Sequence, residues 1–158
     1  MPRPTPVTFR TPFWRTTAVG ERTLADTGPL VAVLIAADSH HAWAREAWGQ
    51  LEPPLFTCEA VLSEAQFVIE RLRGNPLTVL EFIQRGTLQL GFRMEDEIER
   101  LLELQRTYRN LPMSLADACL VRMTELHGHS RVLTTDSHFR IFRRNRRQII
   151  PLLTPSGI

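Results

Sequence analysis

The chain has 158 residues, 43% hydrophobic and 23% charged, which suits one globular domain with a real core and excludes a disordered chain. Its net charge of +2 hides a division: four arginines against Glu21 in residues 1 to 23, five arginines and no acid in residues 140 to 147, and an acidic centre between. All 19 basic residues are arginine, which excludes chemistry that needs a lysine, such as a phosphate-loop lysine or a Schiff base.

No apolar run is long enough to span a bilayer, and no membrane association is expected. Residues 1 to 20 are broken by prolines and arginines and lack the apolar core of a signal peptide, so a cytoplasmic location is expected. Cys58 and Cys119 have no metal-ligand spacing and read as buried free thiols. Acids between basic ends suit a protein that holds cations in a cleft and grips a polyanion around it.

Residues 1–22, with Pro2, Pro4, Pro6 and Pro12, read as an irregular extension that Phe9, Phe13 and Trp14 are able to anchor. The domain proper is expected over 23–158. A short strand ends at Asp26, and Gly28-Pro29 starts a helix to about Ala37, with proline in the first turn where its missing N–H is harmless. A second helix covers His40 to Gln50 and stops at Pro53-Pro54. Leu55 to Thr57 is a strand, Glu59 to Arg73 a helix ended by Gly74, Pro76 to Gln84 another helix, and Thr87 to Phe92 an alternating strand. Met94 to Arg109 is the clearest amphipathic helix, with Glu95, Asp96 and Glu97 complementing the dipole at its start. Ser114 to His127 is a further helix, Arg131 to Thr135 a buried strand and Gln148 to Leu153 a last one. Alternating strands and helices predict a parallel sheet covered on both faces, with sites beyond the carboxyl ends of its strands.

Four acids stand among apolar residues, where an ionised carboxylate is costly unless something positive binds it: Asp26, Glu64, Asp117 and Asp136. Asp26 and Asp136 follow the carboxyl ends of predicted strands. Each acid also has a plainer role. Ser114-x-x-Asp117 spells a capping box, and capping and metal binding both stand for Asp117. Glu64 sits at the edge of an apolar stripe, where spacing alone favours a solvated rim residue. Asp136 is placed to cap the segment after it, and Asp26 to bind amides in the turn at Gly28. Taken together they put three or four carboxylates near one cleft, where they repel one another without a cation. Magnesium or manganese prefers such oxygen donors, and a pair of ions hydrolyses phosphodiesters without a nucleophilic side chain.

At Asp26-Thr27-Gly28-Pro29-Leu30-Val31-Ala32, Ser63-Glu64-Ala65, Leu115-Ala116-Asp117-Ala118 and Leu133-Thr134-Thr135-Asp136-Ser137-His138-Phe139, the sequence resembles the PIN-domain family. Within it, the resemblance is to the small VapC-type ribonuclease toxins of type II toxin–antitoxin pairs. It implies an α/β fold of three layers, with a mostly parallel sheet of about five strands flanked by helices. It further implies RNA cleavage dependent on Mg2+ or Mn2+, homodimers, and inhibition by a cognate antitoxin protein. By position, Asp26, Glu64, Asp117 and Asp136 become the catalytic, metal-binding acids, with Thr27 and Thr135 as hydrogen-bonding support. One departure is that the last motif often carries another acid close behind, where Ser137 and His138 stand here.

Arg140, Arg143 and Arg144 belong to the basic run after Asp136 and are candidates for RNA contact, since arginines bind phosphates. For the interleaved Phe139, Ile141 and Phe142, core packing is the favoured reading over base stacking. His127-Gly128-His129 reads as a turn, and His138 as an assistant in proton transfer. The triplet Asp26-Thr27-Gly28 also spells an aspartic protease motif, but that fold is all-β and this chain is mostly helical. The rival from another class is a catalytically silent member of the fold, an RNA-binding or protein-interaction module.

Overall fold

A computed structural model describes residues 20–158, so the anchors proposed in the N-terminal extension lie outside the described residues. The chain runs β1 (Arg22–Ala25), α1 (Thr27–Leu34), α2 (His41–Gln50), β2 (Leu55–Thr57), α3 (Glu59–Arg71), α4 (Leu77–Gln84) and β3 (Leu88–Leu90). A 3-10 turn at Met94–Glu97 leads into α5 (Ile98–Thr107) and α6 (Leu115–Leu126). Then come β4 (Ser130–Leu133), a 3-10 turn at Ser137–Arg140, and the short strands β5 (Arg143–Arg144), β6 (Gln148–Ile149) and β7 (Leu152–Leu153).

Five strands make one parallel sheet in the order β3-β2-β1-β4-β7, as the alternating pattern predicts. After β1 the chain builds outward on one side through β2 and β3, then crosses back to place β4 on the other side of β1. The crevice beyond the carboxyl ends of β1 and β4 is therefore a topological switch point, where open parallel sheets bind their ligands. Leu24, Leu55, Leu88, Val132 and Leu133 bury the sheet against Leu30, Ile69, Leu120 and Met123 from the helices. Burying one such side chain contributes about 1.5–3 kcal/mol.

Several boundaries differ from the sequence reading, each for a local reason. The first helix stops at Leu34 because Ile35 is extended and Asp38 turns the chain, its carboxylate accepting the His40 amide at 2.8 Å. The third ends at Arg71. Arg73, not Gly74, takes the left-handed conformation (φ 61), while a β-carbon on Gly74 would meet Ile35 Cδ1 at 2.5 Å. That glycine serves close packing rather than a turn.

The expected strand from Gln148 to Leu153 is two strands. Pro151 has no N–H to continue a ladder, but its carbonyl accepts Val132 N at 2.9 Å. Gln148–Ile149 instead pairs antiparallel with Arg143–Arg144, making a hairpin of the arginine run with Asn145 (φ 49) and Arg146 (φ 67) at its tip. Phe139 and Phe142 are buried in edge contact at 5.4 Å, as the core reading expects, whereas Ile141 is exposed.

Candidate active site

Asp26 is the residue at which β1 becomes α1. Its Oδ1 accepts the Thr27 amide at 2.7 Å as helix cap, and its Oδ2 accepts the Thr134 hydroxyl at 2.6 Å. Both bonds favour the ionised form, yet the side chain is buried and burial dominates. Together with the charges of Asp117 and Asp136, it pushes the Asp26 carboxyl up to about 7.

Thr134, fully buried at the end of β4, was not singled out by the sequence. The same hydroxyl that donates to Asp26 accepts the Asp136 amide at 2.9 Å, so one side chain fixes two of the acids. Thr135, the residue named in its place, lies against Gly28, where a β-carbon would fall 2.0 Å from Thr135 Oγ1. The signal for Thr134 was the sheet register: Ala25 pairs with Leu133, which sets the next residues, Asp26 and Thr134, side by side.

Asp117 makes the capping box. Ser114 Oγ accepts the Asp117 amide at 3.0 Å, and Asp117 Oδ2 accepts the Ser114 amide at 2.8 Å. Capping uses one carboxylate oxygen and leaves Oδ1 for the cleft, so the two readings of this residue are compatible. Burial raises its pKa against the bonds from Ser114, and the nearby Asp136 adds to the rise. Its helix is buried around Asp117 on both sides, although Leu115 and Leu126 at its ends are exposed.

Glu64 is an exposed residue of α3 at the cleft edge, as its stripe position predicts. Desolvation raises its pKa first, with the charges of Asp117 and Asp136, while Thr27 beside it favours the ionised form. No well-formed hydrogen bond satisfies the buried Thr27 Oγ1. Asp136 caps the 3-10 turn after β4, its Oδ1 accepting the His138 amide at 2.9 Å and meeting His138 Nδ1 at 2.7 Å.

Asp26, Glu64, Asp117 and Asp136 all line one cleft of about 500 Å³, together with Thr27, Thr135 and His138. Asp38, a fifth acid, also lines it, while its carboxylate accepts the His40 amide. Among the described residues, no three acid, histidine or cysteine side chains are gathered into a ready-formed metal cage. The donor set nonetheless fits a hard divalent cation: three carboxylates whose pKa burial raises and the charges of neighbouring acids raise further, with the Thr27 hydroxyl beside Glu64.

The arginines are not brought into this cleft. Arg143 NH1 donates to the carbonyls of Arg140, Ile141 and Phe142 at 2.7, 2.9 and 2.9 Å, and Arg144 NH1 to Gly128 O at 2.9 Å. Arg140 Nε donates to Ile158 O at 2.6 Å. The sequence reading also missed a buried ion network in which Glu125, 2% exposed, joins Arg100 and Arg122 between α5 and α6.

An open parallel sheet with helices on both faces and an acid-lined crevice at its switch point defines a three-layer α/β protein of PIN type. The family model of the PIN domain matches residues 23–145, and the chain belongs to that family. Among solved structures, the fold is similar to the crystal structure of Mycobacterium tuberculosis VapC20, described as a sarcin–ricin loop cleaving toxin. The TM-score is 0.70 at 19% identity, over 82% of this chain and 99% of that one. No curated protein gives a significant sequence match.

Proposed function

We propose that this chain is a divalent-metal-dependent endoribonuclease of the VapC toxin type. The observation that carries the reading is the convergence of Asp26, Glu64, Asp117 and Asp136, distant in sequence, on one cleft at the sheet's switch point. Fold similarity to VapC20, described as a toxin that cleaves the sarcin–ricin loop, agrees with it.

Asp26, Asp117, Asp136 and Glu64 would hold Mg2+ or Mn2+, which when bound supplies Lewis acidity and lowers the pKa of a water for attack on phosphorus. The chain's own contribution is orientation. Thr27 N and Thr134 Oγ1 fix the two oxygens of Asp26, and Ser114 fixes one oxygen of Asp117. Single-stranded segments or loops of structured RNA are the expected substrates, because their bases are accessible. Arg140, Arg143 and Arg144 would act from outside the cleft on the RNA backbone.

An antitoxin partner is supported by exposed apolar surface: Phe67, Leu72, Leu77 and Leu80 lie on and between α3 and α4, and α3 also carries the cleft-lining Glu64 and Val68. Met94, Ile98 and Leu102 form a second exposed apolar strip, available to a homodimer. A cytoplasmic location accords with the described residues, in which no helix is long and apolar enough to cross a membrane.

The second reading, a catalytically silent RNA- or protein-binding module, is favoured by the lack of a ready-formed metal cage among the described residues. Cleavage of a mixed-sequence RNA with magnesium, manganese or chelator separates the two. Metal-dependent cutting that is lost in folded Asp26→Asn and Asp117→Asn variants supports the nuclease. A folded wild type, freed of any inhibitor, that cuts nothing with either metal supports the silent module.

A further inference from the structure

Asp136 is the least buried aspartate of the four acids, with its side chain 36% exposed, and although Thr134 holds its amide, among the described residues no hydroxyl donates to its carboxylate. A carboxylate so placed turns freely unless a second donor fixes it. His138 supplies two donors to the same oxygen: its main-chain N–H at 2.9 Å and its ring Nδ1 at 2.7 Å, both to Oδ1. An ionised carboxylate only accepts, so Nδ1 carries the hydrogen. The ring is buttressed by the fully buried Phe142, stacked at 22° with centroids 6.4 Å apart. Among the described residues, Asp136 Oδ2 has no hydrogen-bond donor.

We propose that His138 is the positioning residue of Asp136: by holding Oδ1 with two donors it commits Oδ2 to the cleft as a metal-binding oxygen. The inference rests on the nuclease reading. A turn needs only the main-chain bond, so capping alone does not explain the imidazole. His138 lines the same cleft as Asp117 and Asp136.

The test is Mn2+ titration of metal-free protein by calorimetry, with wild type, His138→Ala, His138→Asn and His138→Gln, each checked for folding by thermal unfolding. The Asn amide nitrogen stands near the place of Nδ1, and that of Gln nearer to Nε2. His138→Ala is expected to bind Mn2+ about tenfold more weakly, the usual effect of losing a group that orients a metal ligand. His138→Asn is expected to restore the affinity and His138→Gln to leave it low. Unchanged affinity in His138→Ala overturns the proposal while leaving the nuclease reading in place. Rescue by Gln but not by Asn also overturns it, since Nε2 would then be a direct ligand. A wild type that neither binds Mn2+ nor cuts RNA overturns the nuclease reading, and this inference with it.

Discussion

The Thr134 hydroxyl donates to Asp26 Oδ2 at 2.6 Å across 108 residues of sequence, and so joins the first acid of the cleft to the strand that ends at the last. This bond opposes the burial that holds Asp26 toward its neutral form. Thr134→Val keeps the shape and removes the donor. Calorimetric Mn2+ affinity is expected to fall about tenfold in Thr134→Val and to survive in Thr134→Ser. Equal affinity in all three proteins would show that the bond serves packing alone.

The carboxyl of Asp26 is raised from 3.8 to about 7, mainly by burial, so in metal-free protein its proton favours the fold. A raised folded-state value gives a contribution that is full below about pH 4 and is lost as pH rises through 7. The loss is on the order of a few kcal/mol, at about 1.4 kcal/mol per unit. In chelator, Asp26→Asn is therefore expected to unfold at a higher temperature than wild type at pH 8, with little difference at pH 4, while abolishing cleavage. Added Mg2+ should stabilise wild type more at pH 8 than at pH 5. A pH-independent difference in thermal midpoint would contradict this.

Gly28 and Thr135 are pressed together without room for a methyl group, since a β-carbon on Gly28 would lie 2.0 Å from Thr135 Oγ1. Gly28→Ala is expected to lose about 1–3 kcal/mol by overpacking, measured by urea unfolding. Adding Thr135→Ala should return much of that stability, a coupling that only neighbours show. Simple additivity of the two substitutions would place the clash elsewhere.

Glu125 has a different pH signature. Burial alone would raise its pKa, but hydrogen bonds from Arg100 and Arg122 and from the Asn145 amide outweigh it and leave the carboxyl lowered. A lowered folded-state value gives stability that is present above the unfolded pKa and lost on acidification. Glu125→Gln is expected to cost about 2 kcal/mol at pH 7, less than a fully buried pair because both arginines are partly solvated, and less at pH 3. Denaturant titrations at the two pH values would show it.

That the four acids share one cleft was legible from the family resemblance and from two of them following strand ends, whereas the spacing of Glu64 pointed only to the exposed rim where it lies. Helix periodicity likewise placed the elements to within a few residues. What the sequence concealed depends on contacts between distant segments. Thr134 and Thr135 are adjacent hydroxyls, and only the register of β1 on β4 decides which one meets Asp26. Asp38 stands in the turn ahead of α2, its carboxylate accepting the His40 amide, and the fold also brings it to the cleft. The run from Gln148 to Leu153 reads as one strand because Pro151 is tolerated at an edge, and whether the two halves join one partner or two is a tertiary decision.

The arginine hairpin divides two properties that a basic surface usually combines. Arg143 and Arg144 direct guanidinium hydrogens to main-chain carbonyls, which leaves their charge in place but fewer donors for a phosphate. Charge with part of its donors spent acts first at a distance: it shortens the search of a polyanion for this end of the molecule more than it lengthens the stay. On the nuclease reading, raising the salt concentration would slow the arrival of RNA far more than it hastened its departure.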